Sequence, residues 1–94
     1  MTKRHLLVPA SLLAALASAC GVAQDEACAA YVACQTAYDE AFSLTPTDVA
    51  PYEEGGQCWV NEQTGQICRD NCVIALEELR RAARDAGEEI AACQ

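Results

Sequence analysis

A chain of 94 residues with seven cysteines, one histidine and a formal charge of −8 has room for one small domain and little hydrophobic core. Six basic residues against fourteen acidic ones exclude a nucleic-acid surface and a polybasic grip on anionic lipid. Beyond residue 19 there is no histidine, no lysine and a single serine, Ser43, so neither a Ser-His-Asp nor a Cys-His arrangement can be assembled. A non-enzymatic chain without a cofactor is the expectation.

Residues 1–19 read as a removable export signal: a basic start at Lys3, Arg4 and His5, an apolar run from Leu6 to Ala17, then the small residues Ala17-Ser18-Ala19. As a helix the run spans only about 18 Å, short of a hydrocarbon core of about 30 Å. The string Leu16-Ala17-Ser18-Ala19-Cys20-Gly21 resembles a bacterial lipobox, with Ala17 at the place usually held by leucine and Leu16 one step further back. The resemblance implies that Cys20 becomes the first mature residue and carries the lipid. Residues 20–24 would then be a short lipid-anchored tether, and the protein would meet the membrane through Cys20. Gly21 stands where an aspartate often retains such proteins in the inner membrane, which favours the outer one. Cysteine parity agrees, because setting Cys20 aside leaves six cysteines for three disulfides. Ordinary signal peptidase, cutting after Ala19 or Ala23, would instead give a secreted soluble protein with seven or six cysteines. Loss of Lys3 and Arg4 leaves four arginines against fourteen acidic residues, taking the formal charge from −8 to −10.

Residues 25–43 are predicted to form a helix. Asp25 and Glu26 suit its positive end, and Cys28, Tyr31, Cys34, Tyr38 and Phe42 share one broad face. Asp39 falls outside that stripe and, like Glu40, reads as solvated. Residues 44–66 form an irregular connector, with a single helical turn expected to start at Thr45-Pro46-Thr47-Asp48 and turns at Pro51 and Gly55-Gly56. It holds Tyr52 and Trp59, residue types that anchor interfaces and equally plug the end of a small core.

The second helix is expected from Cys68, with Cys72, Ala75, Leu79, Ala82, Ala86, Ile90 and Cys93 forming a seam that Leu76 and Ala83 widen. Arg80 falls on the outer face. Glu77–Arg81, Arg81–Asp85 and Arg84–Glu88 form i,i+4 pairs on the solvated side, where the acidic doublets Glu77-Glu78 and Glu88-Glu89 also lie. Gly87 is a stop signal that would free residues 88–94 to fold back.

The fold class that follows is all-α: a disulfide-stapled antiparallel helical hairpin with an irregular connector, occupying residues 25–94. A domain of this size rarely draws more than about 3–5 kcal/mol from its core, so Cys28, Cys34, Cys58, Cys68, Cys72 and Cys93 are expected to be bridged. A hairpin favours the nested set Cys28–Cys93, Cys34–Cys72 and Cys58–Cys68, with Cys28–Cys72 and Cys34–Cys68 as the competing pairs. Metal ligation at Cys68-x-x-x-Cys72 is not expected, since export favours oxidation and no histidine follows.

Paired cysteines on a first helix, the segment Tyr52-Glu53-Glu54-Gly55-Gly56-Gln57-Cys58-Trp59 and Cys68-x-x-x-Cys72 on a second give a layout that resembles small cysteine-rich predicted bacterial lipoproteins. That likeness implies an architecture and a location, and no activity. The resulting expectation is a non-catalytic exported envelope lipoprotein, a small protein-interaction or structural module with an unknown protein partner. The competing readings are a released disulfide-rich effector or inhibitor, and a metal-binding or thiol-redox protein.

Overall fold

The computed structural model describes residues 21–94; the expected export signal at residues 1–19 and the expected lipidation site Cys20 lie outside the described residues. The fold is all-α, stapled by three disulfides. Helix α1 spans Glu26–Ala41 and helix α2 spans Glu62–Asp85, with 3-10 turns at Ala50–Tyr52, Gln57–Trp59 and Ala91–Cys93. Among the described residues no helix is long and apolar enough to cross a membrane.

Helix α1 begins where its capping chemistry starts. The Asp25 carboxylate accepts from the Ala27 N–H at 2.8 Å, and Glu26 follows in the first turn. Its run of alanines carries high helix propensity. It ends in a Schellman motif: Leu44 N–H donates to the Asp39 carbonyl at 2.8 Å and Ser43 N–H to that of Glu40 at 3.2 Å. Ser43 holds the left-handed position at φ 53°, where a glycine would be unstrained. The connector then makes its first turn at Ala50–Tyr52, later than the expected start at Thr45, because Asp48 accepts from the Ala50 N–H at 3.1 Å and Pro51 sits inside the turn.

Helix α2 begins at Glu62, inside the stretch expected to be connector. Asn61 caps it, accepting from the Thr64 N–H at 2.8 Å, and Glu62 supplies the favourable first-turn charge. Gly65 lets the Trp59 ring lie against the helix backbone; a Cβ there would stand 3.3 Å from the indole. The C-terminus matches expectation. Gly87 adopts φ 73°, its N–H donates to the Arg84 carbonyl and that of Glu88 to Ala83, and residues 88–94 turn back onto the helices.

The return limb of the chain is the connector, not α2. Thr47 N–H reaches Asp39, Tyr52 stacks on Tyr31, and Trp59 meets Val22, so residues 44–61 descend along α1. Helix α2 therefore starts beside the start of α1 and runs in the same sense. Contacts climb both helices together: Arg69 lies 3.5 Å from Asp25, Cys72 is bridged to Cys28, and Cys34 is bridged to Cys93, whose carbonyl Arg80 holds. A helix of sixteen residues is about 24 Å long, a distance the connector covers easily when largely extended.

This direction corrects the disulfide pairing. The bridges are Cys28–Cys72, Cys34–Cys93 and Cys58–Cys68, with Cα separations of 5.0, 4.6 and 5.8 Å. Cys58–Cys68 is as expected. Cys28–Cys93 and Cys34–Cys72 are replaced because they presuppose an antiparallel second helix, and the alternative Cys34–Cys68 fails for the same reason. The seam also differs: Gly65, Cys72, Leu76 and Ala83 are buried, Ala75 and Leu79 lie at its edge, and Ile90 and Cys93 join the core from the folded-back tail. Among the described residues, half of the ten buried apolar ones are cysteines, and Cys28, Cys34 and Cys72 are the most deeply enclosed. Disulfide sulfur fills the space that larger side chains occupy in a bigger domain.

Candidate functional site

The distinctive connector string folds into a closed cluster at the start of α2. Trp59 is only 4% exposed, packed on Gly65, and its indole N–H donates to the Tyr52 carbonyl at 3.2 Å. The Gln24 side-chain amide donates to the same carbonyl at 2.9 Å. Tyr52 sets its ring edge-to-face against Tyr31, centroids 5.4 Å apart, a favoured aromatic geometry. Tyr52 and Trp59 are thus brought together, but as a plug at the end of the core rather than as protruding anchors. Burial, with the neighbouring Tyr52 and Asp39, pushes the Tyr31 phenol above its ordinary pKa.

Residues 21–24 belong to the same cluster. The Val22 N–H donates to the Trp59 carbonyl at 2.9 Å, and a Cβ on Gly21 would lie 2.8 Å from that carbonyl oxygen. Val22 and Ala23, with Asp25, Glu62, Gln66 and Arg69, border an open cleft of about 420 Å³. In the sequence this segment was a tether; in the fold it is attached at two points. Its glycine is explained by close approach of backbone to backbone, a signal legible only once Trp59 is known to lie opposite.

Asp39 departs furthest from its expected role. It is 5% exposed, and its two oxygens accept from the Thr47 N–H at 2.8 Å and the Gln35 amide at 2.9 Å. Burial alone would raise its pKa, but these bonds outweigh it and hold the carboxyl below its ordinary range. Asp39 fastens the connector to α1 as an ionised strut. The other doublets, Glu53-Glu54, Glu77-Glu78 and Glu88-Glu89, are exposed. Arg80 is likewise reassigned from the outer face: its Nε donates to the Cys93 carbonyl at 2.8 Å, clasping the tail.

The six described cysteines are all paired, and among the described residues no three His, Cys, Asp or Glu side chains converge as metal ligands would. On the face of α2 opposite its buried residues, Ile67 and Ile74 stand seven residues apart and are each 58% exposed. No family model, curated protein or solved structure matches the chain. The site is therefore read from its own chemistry.

Proposed function

We propose that the chain is an exported envelope lipoprotein, anchored through a lipid on Cys20, whose bridged helical domain serves as a non-catalytic protein-interaction or structural module. Three disulfides belong to an oxidising, extracellular environment. The observation that carries the reading further is the pairing itself. With the other six cysteines bridged, Cys20 alone is left over, and it sits directly after Ala17-Ser18-Ala19. The packing of Gly21 and Val22 supports processing before Cys20 over processing after Ala23, since the latter would remove both residues from beside Trp59. Exposed Ile67 and Ile74 support a protein-contacting role over a purely space-filling one.

Membrane partition of the exported protein tests the proposal. Wild type should sediment with membranes and carry an acyl mass on its N-terminal residue, and Cys20→Ser should be soluble or unprocessed. Unmodified wild-type protein in the soluble fraction, beginning at Cys20 or Gln24, would refute it and leave the released effector or inhibitor as the better description.

A further inference from the structure

Lipid-anchored domains are ordinarily pictured as hanging from a slack N-terminal tether; the first described residues of this chain form something different. Val22 donates its N–H to the Trp59 carbonyl, Gly21 lies too close to that carbonyl for any side chain, Gln24 is bonded to the Tyr52 carbonyl, and Asp25 caps α1 and faces Arg69 at 3.5 Å. Each residue from 21 to 25 except Ala23 is thus engaged by the domain. Between the Cα atoms of Cys20 and Val22 the chain can span at most about 7 Å. Because α2 runs in the same sense as α1, both helix starts lie at this end, and the end of α2 lies about 36 Å along its axis from Glu62.

We propose that residues 21–24 act as a splint that seats the α2-start end of the domain, Trp59 to Glu62, directly on the bilayer bearing the Cys20 anchor, with the Cys34–Cys93 bridge and folded-back tail directed away from it. This rests on Cys20 being acylated. Val60 is 59% exposed and lies next to the splint's partner Trp59, so it is the apolar side chain placed to enter the interface. At the same end, the cleft beside Trp59 carries the carboxylates of Asp25 and Glu62 against the single guanidinium of Arg69, a net negative charge that fits zwitterionic headgroups and opposes anionic ones. The short attachment also fixes which surface faces outward: a partner reaches the tail and the α2 end more readily than the Trp59 cluster.

Trp59 is the sole tryptophan and a built-in reporter of height above the membrane. The exported full-length protein, recovered in its processed form, is reconstituted in phosphatidylcholine vesicles with dansyl-headgroup lipid, and energy transfer from Trp59 is compared with two variants. Inserting twelve Gly/Ser residues between Cys20 and Gly21 leaves residues 21–94 intact and adds a coil of about 20 Å root-mean-square reach. Val22→Pro removes the donor to Trp59. Strong transfer in wild type, a severalfold loss on insertion and a partial loss in Val22→Pro, all with unchanged helical circular dichroism, is the expected result. Equal transfer in wild type and the insertion variant, or none in acylated wild type, overturns the splint. The N-terminal mass of the same sample separates the two ideas. If it shows no acyl group, anchoring fails by itself, and a nitroxide on the unmodified Cys20 thiol decides the splint: an immobilised spectrum that becomes mobile in Val22→Pro upholds it, and a mobile wild-type spectrum overturns it.

Discussion

Replacing Cys34 and Cys93 together by alanine removes the bridge that fastens the tail. Its closed loop of 59 residues corresponds, in the loop-entropy model, to about 4 kcal/mol at 25 °C. That figure equals what the rest of so small a core provides, about 3–5 kcal/mol. The loss is local as well as global. Without the bridge the tail keeps the Arg80 bonds to the Cys93 and Gln94 carbonyls and the packing of Ile90, which is 7% exposed. Arg80→Ala in the bridged protein should cost about 1–2 kcal/mol, well above the surface level of about 0.5 kcal/mol. The Cys58→Ala/Cys68→Ala pair, closing a loop of only 10, should cost about 3 kcal/mol. Urea unfolding without reductant gives these differences from the midpoints, and hydrogen exchange at the Cys93 amide, which donates to the Ile90 carbonyl, reports the tail. A Cys34→Ala/Cys93→Ala protein that loses less than about 1 kcal/mol and keeps the amide protection at position 93 would refute the reasoning, because the bridge would then be redundant with packing.

Other consequences follow from the corrected seam and the capping geometry. Leu76→Ala, at a site 7% exposed, should cost about 2–4 kcal/mol and exceed Leu79→Ala at the seam's edge; the reverse order of melting temperatures would show α2 rotated from its described position. Ser43→Gly should raise stability by about 0.5–1 kcal/mol by relieving the left-handed strain that ends α1, and a fall in melting temperature would contradict this. Asp39 has its carboxyl held below the ordinary value of 3.8, so its contribution is complete above that value and is lost as pH falls through and below it. Asp39→Asn should therefore be less stable than wild type near neutrality and converge on it in acid; parallel stability-pH curves would show that the strut carries nothing.

Much of this architecture was legible in the residues. Asp25 and Glu26 mark the start of α1, the Cys28, Tyr31, Cys34 face is buried as its spacing implies, and Gly87 both ends α2 and sends the tail back. Asn61 followed by Glu62 was also a readable start signal for α2, but the regular apolar spacing begins only at Cys68, because the first turns pack on Trp59 through Gly65 rather than through a large side chain. The direction of α2 was not legible. A connector of that length can either turn tightly or run back along α1, and hydrophobic spacing within each helix is the same in both cases. The bonds that choose, from Thr47 to Asp39, Gln24 to Tyr52 and Val22 to Trp59, lie outside any helical spacing and depend mostly on backbone atoms that every sequence possesses. The same limit hid Asp39: its partner Gln35 lies one turn away, but its second partner, the Thr47 N–H, comes from the connector.

Peptide mapping of the native, unreduced protein tests the bridged architecture most directly. Trypsin cuts after Arg69, Arg80, Arg81 and Arg84 and so separates Cys68, Cys72 and Cys93, while chymotrypsin at Tyr31 separates Cys28 from Cys34. The expected linked fragments join Cys28 to Cys72, Cys34 to Cys93 and Cys58 to Cys68, with no free thiol among the six. Fragments joining Cys28 to Cys93 and Cys34 to Cys72 would mean that α2 runs against α1, and would contradict the fold, the placement of the tail and the proposed seating of the domain together.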